Sequence, residues 1–416
     1  MTVGIVGLGY VGLPLAVAFA EAGVTAIGVD VDAERVDALR AGRSQIEDVS
    51  DDVLAAQAER MRFETDYAAL GEADAALVCV PTPLTAQREP DLAPLLAASQ
   101  ALAAVLREGQ LVVLESTSYP GTTREQLAPE LERGSGLVAG EGFLLAYSPE
   151  RVDPGSRNWS IGNTPKIVGG LTPACGDRAE ELYRAVCENI VRVSSPEAAE
   201  FSKLLENIFR SVNIALVNEL SILAHRMGID VWEVVDAAST KPFGFMPFEP
   251  GPGMGGHCLP VDPFYLAWKA REYDFPAEFV ELAGKINQNQ PYFCAQRVIE
   301  ALNHAGKAVR GSRVLVLGVA YKTGVGDVRE SPALKLMALL RAQGAELSYH
   351  DPHVPELPAE GLRSEDLEAA VTAADLVVIV TAHSEVDHDR VAREAALVLD
   401  LRGVTRGLDY PTVERL

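Results

Sequence analysis

The residues best suited to covalent chemistry lie in one glycine-rich segment, Gly251–Asp262. Four glycines precede Cys258 there, and Asp262 follows it by four residues. Because glycine lets backbone and ligand approach closely, a thiol at the end of this run can meet a tightly held substrate. We predict a helix directly afterwards, with Asp262 as N-cap and Pro263 as first residue, and its dipole favours a thiolate. The alternative is a buried structural cysteine, since free cysteines are usually buried and inert.

A second chemistry-bearing motif lies at the start of the chain. The segment Gly7-Leu8-Gly9-Tyr10-Val11-Gly12 follows a buried-strand signal and precedes a helical pattern and a second strand ending in Asp30. In this setting the first glycine makes the turn, the second admits a dinucleotide pyrophosphate, and the third lets helix pack on strand. Asp30 is expected to accept hydrogen bonds from the adenosine ribose, which favours NAD over NADP because a 2′-phosphate would face a carboxylate.

Three polar residues follow later apolar strands of the same region. Thr82, Thr117 and Glu150 each come directly or almost directly after a strand signal. Ligands of doubly wound sheets lie beyond the carboxyl ends of the strands. We therefore predict that the two threonines line the cofactor site and that Glu150 orients water or relays a proton. The alternatives are threonines that cap turns and a hydrated surface glutamate.

A long helix is predicted from Glu197 to Met227. Lys203 and Asn207 are one turn apart and share a face of it, with Arg210 nearby. Such a helix between two α/β regions is typical of a spine and dimer surface, and its polar groups either point into a cleft or form a hydrated face. The following loop, residues 241–248, carries prolines and aromatic side chains that suit a small-molecule pocket.

The C-terminal region opens with a new strand in the segment Gly311–Gly318 and continues with further strand signals and a helix. We therefore predict a second α/β domain. It lacks the full glycine fingerprint, so we expect it to bind something other than a second NAD. Lys322 and Arg329, which we place at strand ends, indicate an anionic ligand such as a nucleotide diphosphate.

The composition bounds the class of protein. The 416 residues are 48% hydrophobic and 23% charged, which is ordinary for two or three globular domains. A net charge of −23 argues against non-specific binding of nucleic acid or of an anionic membrane. Five cysteines without a C-x-x-C pair fit a reducing compartment and neither a disulfide framework nor a zinc site. We expect a soluble cytoplasmic protein, since no apolar run reaches membrane-spanning length.

The thiol sets these residues apart from those of a simple alcohol dehydrogenase, which needs no nucleophile. A thiol becomes useful when an aldehyde product must be oxidised again. Its addition gives a thiohemiacetal that donates a second hydride, and the resulting thioester is hydrolysed. Lys203 and Asn207 are candidates for stabilising the oxyanion.

Over essentially its full length the chain resembles the UDP-glucose/GDP-mannose dehydrogenase family of nucleotide-sugar 6-dehydrogenases. The segments that carry the resemblance are together very specific. They are Gly4–Gly12, Val80–Pro83, Ser148–Arg151, Gly255–Pro260 and Asp327–Pro332.

The resemblance implies an α/β fold with two Rossmann-like doubly wound domains joined by a central helical domain with a long spine helix. The implied domains are an N-terminal NAD-binding domain (1–195), a helical domain for dimerisation and the active site (196–302), and a C-terminal UDP-sugar-binding domain (303–416). It further implies a homodimer through the central helices, a substrate cleft between the two α/β domains, and a role in polysaccharide biosynthesis.

The activity implied by the resemblance is oxidation of a sugar C6 alcohol to a carboxylate, with two NAD reduced per turnover. By position, Cys258 is then the nucleophile. The other implied catalytic residues are Lys203, Asn207, Asp262, Glu150 and Thr117. The implied cofactor contacts are Gly7, Gly9, Tyr10, Val11, Gly12, Asp30, Arg35, Thr82, Thr117 and Arg329. The implied substrate contacts are Glu150, Arg151, Lys203, Asn207, Arg210, Lys241, Phe245, Gly255 and Lys322.

Within the family the chain is most similar to the UDP-N-acetylglucosamine branch. Phe245–Phe248 leads into the glycine run as in that branch, and Pro154 stands where UDP-glucose enzymes tend to carry a second glutamate. Lys241 stands where many relatives place an arginine. These features predict UDP-N-acetylglucosamine as substrate, with UDP-N-acetylmannosamine and UDP-glucose as alternatives, and leave the water-activating residue open.

Two other classes of function compete with this interpretation. A two-electron hydroxyacid dehydrogenase of the 6-phosphogluconate dehydrogenase type would give one NADH per substrate and no role to Cys258. A non-catalytic NAD-binding protein would retain every property without that thiol. Neither class accounts for the C-terminal region with Lys322 and Arg329.

Overall fold

The structure, a computed structural model, describes residues 1–46, 48–85, 87–152, 158–256 and 259–416. The chain forms two compact units. The N-terminal unit comprises residues 1–206 and 265–275, and the C-terminal unit comprises residues 207–264 and 276–416. Each unit is built on its own sheet of mainly parallel strands.

The sheet of the N-terminal unit has eight strands. These are β1 (Thr2–Val6), β2 (Thr25–Val29), β3 (Met61–Glu64), β4 (Ala75–Val78), β5 (Leu111–Leu114), β6 (Leu144–Tyr147), β7 (Lys166–Gly170) and β8 (Ile190–Val193). Their order is β3-β2-β1-β4-β5-β6-β7-β8, and β7 runs antiparallel to β6. The first six strands are parallel and follow the 3-2-1-4-5-6 order of a dinucleotide-binding sheet. The central strands are apolar runs because helices shield such sheets from water.

The helices of this unit alternate with its strands. They are α1 (Gly12–Glu21), α2 (Ala33–Arg40), α3 (Asp51–Ala56), α4 (Ala93–Ala103), α5 (Ala128–Ser135) and α6 (Pro173–Tyr183). Asp32, Ser50 and Thr172 cap α2, α3 and α6 by accepting backbone N–H bonds of the first turn. No side chain caps α1.

The helical region that follows begins with α7 (Pro196–Met227), whose predicted bounds differ by one residue. It continues with α8 (Val231–Ser239), α9 (Asp262–Ala270) and α10 (Glu278–His304). The boundary between the two units falls inside α7, after Glu206, and again inside α9. No helix in the described part of the chain, α7 included, is long and apolar enough to cross a membrane.

The sheet of the C-terminal unit has five parallel strands and a small separate hairpin. In chain order the strands are β9 (Arg313–Leu317), β10 (Glu346–His350), β11 (Glu356–Leu357), β12 (Leu362–Arg363), β13 (Leu376–Ile379), β14 (Val398–Asp400) and β15 (Val413–Arg415). The helices are α11 (Pro332–Ala342), α12 (Leu367–Ala373) and α13 (His388–Glu394). The five-stranded order is β10-β9-β13-β14-β15, which is the other common doubly wound order, and β11 pairs with β12.

The predicted fold class is confirmed, with two doubly wound sheets and a long helix between them in sequence. The predicted domain boundaries stay predictions. In the N-terminal sheet, strands β3, β7 and β8 were not predicted. Two of them, β3 and β8, are edge strands with partly exposed residues, and β7 begins with a lysine and ends with two glycines, so none reads as an apolar run.

Candidate active site

The turn after β1 is shaped to hold a diphosphate. Gly7 has a φ of +92°, and a Cβ on Gly12 would lie 1.8 Å from the Gly7 carbonyl oxygen. A Cβ on Gly9 would meet no atom within 4 Å, so the turn leaves open space beside its backbone. Helix α1 starts here without a capping side chain or an acidic residue in its first turn, so its N–H groups and positive dipole end suit an anion. Half-buried Tyr10 and Val11 complete the turn.

The predicted ribose acceptor lies beside this turn. Asp30 Oδ2 accepts the Leu8 N–H at 2.7 Å and the Arg35 guanidinium at 3.0 Å, and its Oδ1 accepts the Asp32 N–H at 2.9 Å. The carboxylate is 6% exposed and the Arg35 side chain 30% exposed. Two residues predicted to contact the cofactor therefore form one ion pair, fixed by backbone donors at the end of β2. The open space at Gly9 and this fixed carboxylate fit the two ends of an adenosine diphosphate.

The two predicted threonines also meet. Thr82 Oγ1 donates to the Thr117 carbonyl oxygen at 2.7 Å, which joins the segments that follow β4 and β5. The hydroxyl of Tyr265 donates to the carbonyl oxygens of Thr82 and Pro83 at 2.8 and 3.0 Å. Sequence reasoning missed Tyr265, because it is remote in sequence and reads as one apolar residue of a helix.

Glu150 follows β6 and belongs to a buried charge cluster. Its Oε1 accepts the N–H groups of the next two residues at 2.7 and 2.6 Å. The Lys166 ammonium lies 3.5 Å from Glu150 Oε2 and 2.7 Å from Glu115 Oε2. Burial favours a raised pKa for Glu150, but Lys166, the two N–H donors and Lys203 outweigh it and hold that pKa below its usual value. Neither Lys166 nor Glu115 was predicted, since Lys166 begins a strand and Glu115 directly follows one, and neither belongs to a motif.

Arg151, a predicted substrate contact, is engaged within the chain. Its Nη2 and Nε donate to the Glu206 carboxylate at 2.6 and 3.3 Å, and its Nη1 donates to the Pro165 carbonyl oxygen. These hydrogen bonds of the Arg151 guanidinium fix the segment that follows β6 to helix α7. Residues 153–157, which include the Pro154 of the substrate prediction, lie outside the described residues.

Helix α7 carries half-buried Lys203 and, one turn earlier, a residue that sequence reasoning missed. Glu200 is fully buried, and its carboxylate accepts the Gly121 N–H at 2.6 Å, the Thr123 N–H at 2.8 Å and the Thr123 hydroxyl at 2.7 Å. Burial raises its pKa to about 7, against the effect of these donors. Glu200 therefore ties the segment that carries Thr117 to the helix that carries Lys203.

In the C-terminal unit, two predicted catalytic residues touch. Asn207 Nδ2 donates to Asp262 Oδ2, and the two residues are 5% and 3% exposed. Helix α9 begins at Asp262 itself, one residue before its predicted first residue, Pro263. The carboxylate thus lies in the first turn, where the helix dipole favours negative charge. Cys258, the predicted nucleophile, lies outside the described residues.

The glycine run that leads to Cys258 is anchored by two buried asparagines. Asn218 of α7 accepts the Gly251 N–H at 3.0 Å and donates to Asn287 Oδ1 at 3.0 Å. Asn287 of α10 in turn donates to the sulfur of Met254 at 3.3 Å. Gly251 and Met254 are therefore each fixed to a helix by an asparagine. Neither asparagine carries a local sequence signal.

The second half of the run lies against the connection between β9 and α11. A Cβ on Gly255 would be 2.5 Å from the Cβ of Tyr321, so only glycine fits there. Gly256 has a φ of +83°, and its N–H donates to the Arg329 carbonyl oxygen at 3.1 Å. The predicted substrate contact Gly255 is thus needed for close approach of two backbone segments.

Lys322 and Arg329 lie in this β9–α11 connection, so the prediction that they stand at strand ends was wrong. The Arg329 guanidinium forms a two-point pair with Asp327, at 2.9 Å to Oδ1 and 2.6 Å to Oδ2, while Lys322 is half-buried. The connection is longer than a strand-end turn because α11 begins only at Pro332. The contact of Arg329 with the cofactor stays a prediction.

Three further predicted substrate contacts are exposed in the C-terminal unit. Arg210, Lys241 and Phe245 all face solvent, and the Lys241 ammonium lies 5.1 Å from the centre of the Phe243 ring. Phe248, at the end of the same loop, packs edge-on against Phe209 of α7. The loop is therefore anchored at its end and open along its length.

One group of side chains in the described residues has metal-ligand character. His353, His383 and Glu385 each place one ligand atom within 4.8 Å of the others. His383 Nδ1 accepts the Gly324 N–H at 3.2 Å, so its Nε2 carries the proton and faces Asp351 Oδ2 at 3.2 Å. With both ring nitrogens engaged, His383 has no lone pair to offer an ion in this arrangement.

Three family models match the chain. The model described as UDP-glucose/GDP-mannose dehydrogenase family, NAD binding domain, matches residues 1–187. The central-domain and UDP-binding-domain models of the same family match residues 197–289 and 315–407. The NAD-binding model covers the glycine turn, Asp30 and both threonines, and it confirms the predicted NAD cofactor.

Individual relatives match over almost the whole chain. The sequence is 35% identical to the UDP-N-acetyl-D-glucosamine 6-dehydrogenase of Pseudomonas aeruginosa, over 92% of this chain and 91% of that protein. It is 37% identical to the UDP-N-acetyl-D-mannosamine dehydrogenase of Pyrococcus horikoshii, over 92% and 90%. The solved structure of the UDP-D-ManNAc dehydrogenase of that organism matches with a TM-score of 0.90 at 33% identity, covering 100% of this chain and 99% of the other. Identities this similar do not distinguish the sugar.

Proposed function

The chain belongs to the UDP-glucose/GDP-mannose dehydrogenase family of NAD-dependent nucleotide-sugar 6-dehydrogenases, and we propose that it oxidises C6 of UDP-N-acetylglucosamine to the uronic acid. The reaction removes four electrons as two hydrides. The observation that best supports this proposal is the contact between Asn207 and Asp262. Asp262 follows Cys258 by four residues, so the contact ties the segment that carries the thiol to helix α7.

NAD, when bound, accepts the hydride of each oxidation. The turn from Gly7 to Gly12 would hold its diphosphate, and Asp30 with Arg35 would hold the adenosine ribose. Thr82 and Thr117 would line the same cofactor at the ends of β4 and β5. The Asp30 carboxylate, which backbone N–H groups fix beside the ribose site, supports NAD rather than NADP.

In the first oxidation, C6 gives up a hydride, and its hydroxyl gives up a proton to a water molecule that Glu150 would orient and that passes the proton to solvent. Lys203 would stabilise the negative charge that develops on the oxygen. The Lys203 ammonium lies close enough to Glu150 to lower the pKa of that carboxyl. A cationic donor, Lys203, and an anionic acceptor, Glu150, therefore face the same region of the N-terminal unit.

In the second oxidation, the thiolate of Cys258 adds to the aldehyde carbon. A C–S bond forms, and the carbonyl oxygen becomes an oxyanion that Lys203 and Asn207 stabilise. An asparagine amide has two N–H donors, and the bond to Asp262 uses one and fixes the amide plane. Collapse of the oxyanion expels the second hydride and leaves a thioester on Cys258.

Hydrolysis of the thioester returns the thiol. Glu150 would orient a water molecule and accept its proton while the water oxygen bonds to the thioester carbon. The C–S bond then breaks, and its electron pair stays on the Cys258 sulfur as thiolate. Glu150 afterwards releases the proton to solvent. A carboxylate suits this role because it is already charged and two backbone N–H groups fix its orientation.

The choice of UDP-N-acetylglucosamine rests on sequence features of the branch, Phe245–Phe248 ahead of the glycine run and Pro154 in place of a second glutamate. The relative from Pseudomonas aeruginosa is named for this sugar, and that from Pyrococcus horikoshii for the mannosamine epimer. UDP-N-acetylmannosamine is therefore the second candidate. UDP-glucose is the third.

Stoichiometry tests the proposed reaction. We expect two NADH for each uronic acid formed from UDP-N-acetylglucosamine, and we expect Cys258→Ala to form no acid. A ratio of one, with full activity of Cys258→Ala, would establish the two-electron hydroxyacid dehydrogenase instead. Absence of NAD reduction across a panel of UDP-sugars would favour a non-catalytic NAD-binding protein, and the sugar with the highest kcat/KM in that panel identifies the substrate.

A homodimer through the central helices is proposed from an exposed apolar stripe. Five side chains of α7 in the C-terminal unit recur at helical spacing and are 46–62% exposed: Phe209, Leu216, Leu220, Leu223 and Met227. Phe279 and Leu282 of α10 are 79% and 53% exposed. Patches of this kind mark protein interfaces. Light scattering should give the mass of a dimer, and the double variant Leu216→Glu/Leu220→Glu that of a monomer; a dimeric double variant would place the interface elsewhere.

A further inference from the structure

A buried ion cluster, formed by Glu115, Lys166 and Glu150, lies at the carboxyl edge of the N-terminal sheet. The Lys166 ammonium is 2.7 Å from one oxygen of Glu115 and 3.5 Å from one oxygen of Glu150. The hydroxyl of Tyr183 donates to the other oxygen of Glu115. Desolvating such charges is costly, and apolar side chains of similar volume often stabilise a core as well. The ion cluster therefore calls for a chemical explanation.

The reversal of one strand creates the ion cluster. Glu115 directly follows β5, and Glu150 follows β6, so both lie at the carboxyl edge of the parallel strands. Strand β7 runs antiparallel to β6, with Tyr147 opposite Gly169. Continuing this register places Lys166, the first residue of β7, beside Glu150. A parallel β7 would have carried the lysine to the opposite edge, away from the cofactor end of the sheet.

The two carboxylates of the ion cluster are not equivalent. Glu115 is 1% exposed, and Lys166 and Tyr183 occupy its two oxygens. The side chain of Glu150 is 16% exposed, so it alone among the three reaches solvent. Lys166 is thus held by a fully buried carboxylate and faces a second carboxylate that is open to a ligand.

We propose that Lys166 is a positioning residue that keeps Glu150 ionised and correctly oriented for the hydrolytic water, with Glu115 fixing the ammonium in place. This inference rests on the proposed function, because it concerns the hydrolysis of the thioester. Lys166 is only 4% exposed, so we assign it no direct contact with the substrate. Its effect passes through the charge of Glu150.

Among the charged groups around Glu150, Lys166 favours the ionised carboxyl most strongly. Lys203 of α7 also favours the ionised form, whereas Glu115 opposes it by repulsion. Cys79 and Cys187 face the same ion cluster, and burial raises the pKa of Cys187 to about 11 and that of Cys79 well above its ordinary value, so both thiols are neutral. Arg151, on the same segment, is engaged by Glu206.

The pH dependence of kcat/KM for uronic acid formation tests the inference. Activity that needs ionised Glu150 is lost as the pH falls through the pKa of that carboxyl. Removing the ammonium in Lys166→Met leaves the two backbone N–H donors and Lys203 to oppose burial and Glu115, so the pKa of Glu150 rises. In Lys166→Met we expect the acid limb of the profile to move up by about one pH unit or more from its wild-type position. In Lys166→Arg it should move by less than half of that shift.

Two further variants control for folding. Glu115→Gln/Lys166→Met removes one charge of each sign, so it avoids an unpaired buried carboxylate at position 115, and we expect the same upward direction of the limb. Lys269→Met removes another ammonium that is 4% exposed, whose partners are Glu125 and Glu272, and should leave the limb unmoved. An unshifted limb in the folded double variant would overturn the inference.

The inference and the proposed function fail in different ways. An NADH-to-acid ratio of one would reject the thioester route, whatever the pH profile does. A ratio of two with an acid limb that is identical in the wild type and in Lys166→Met would keep the thioester route and reject the role of Lys166.

Discussion

The two sheets of this protein use the same device at their first turn and put it to different use. In each sheet a glycine with positive φ follows the first strand, Gly7 at +92° and Gly318 at +79°. In each, a buried aspartate after the second strand accepts backbone N–H groups of that turn: Asp30 from Leu8, and Asp351 from Val319 and Ala320. The turn and the aspartate are therefore properties of the scaffold, and a ligand cannot be inferred from them alone.

The helix after the turn distinguishes the sheets. In the N-terminal unit, α1 starts at Gly12 without a side-chain cap, so its N–H groups are available to a diphosphate. In the C-terminal unit, α11 starts only at Pro332, and Ser331 caps it by accepting the Ala333 N–H at 3.3 Å. The space between strand and helix is filled there by a connection that carries Lys322 and Arg329. We expect the dipole to serve the NAD diphosphate in the N-terminal sheet and the Lys322 ammonium to serve the nucleotide of the substrate in the C-terminal sheet.

The largest effect should come from substituting the aspartates that follow the second strand of each sheet, Asp30 and Asp351. Asp351 is 2% exposed and accepts the N–H groups of Val319, Ala320 and His353, each at 2.9 Å. Asp351→Ala leaves these donors unsatisfied and should lower the free energy of unfolding of the C-terminal unit by at least about 3 kcal/mol. Thermal unfolding of the variant and of the wild type measures this difference in the free energy of unfolding.

The matched variant is Asp30→Ala. It should lower both the affinity for NAD and the free energy of unfolding. We expect a rise in the Kd for NAD of about tenfold, or about 1.4 kcal/mol, in Asp30→Ala and none in folded Asp351→Ala. Equal losses of NAD affinity in the two variants would remove the distinction between the sheets.

The next effect tests the open space at Gly9. A Cβ there meets no atom of the chain within 4 Å, so Gly9→Ala should fold normally. The methyl group occupies the place assigned to the diphosphate, and the Kd for NAD should rise about tenfold or more. Titration calorimetry measures it. Gly71→Ala is the control, since its Cβ would meet only the Val105 carbonyl oxygen at 3.8 Å. Unchanged affinity in Gly9→Ala would mean that the diphosphate binds elsewhere.

A smaller and more selective effect is expected at Lys322. Lys322→Met should raise the KM for the UDP-sugar by severalfold, about 1 kcal/mol, and leave the Kd for NAD unchanged, because the cation is assigned to the nucleotide of the substrate. Lys335→Met, on α11, removes a cation that lies 5.1 Å from the centre of the Tyr292 ring and should change neither constant. A changed NAD affinity in Lys322→Met would contradict the division of ligands between the sheets.

The smallest effect is expected at the cap of α11. Ser331→Ala removes an N-cap acceptor and should cost about 1 kcal/mol of stability. It should leave both ligand affinities as they are, because this helix end is occupied by its own chain. Denaturant unfolding and the KM for the UDP-sugar report the two halves of this prediction. A marked loss of substrate affinity would mean that the α11 terminus is part of the binding site.

Sequence predicted the features that depend on local backbone chemistry. The glycine turn, its strand and helix, and the acid at the end of the next strand occupy consecutive positions, so their spacing carries the geometry. Helix α7 was placed to within one residue for the same reason, since its apolar spacing and terminal glycine are local signals. The contact of Asn207 with Asp262 joins two residues that were singled out separately.

Contacts made by distant segments could not be predicted this way. Lys166 reaches Glu150 only because β7 runs antiparallel, and no residue of Lys166–Gly170 encodes that reversal locally. Glu200 read as one polar residue of a helix, yet it holds the Gly121–Thr123 segment. The pair Asn218 and Asn287 supports the glycine run from two helices, where each residue alone reads as a hydrated or structural amide.

The central claim is that Cys258 carries the substrate as a thioester, and a quenched-turnover experiment tests it most directly. The enzyme is mixed with NAD and UDP-N-acetylglucosamine, and the reaction is quenched in acid. The protein is then digested, and the mass of the peptide that contains Cys258 is determined by mass spectrometry. Glu150→Gln should slow hydrolysis and accumulate a peptide heavier by the acyl group, in larger amount than the wild type. An unmodified Cys258 peptide in both proteins, while acid still forms, would contradict the account.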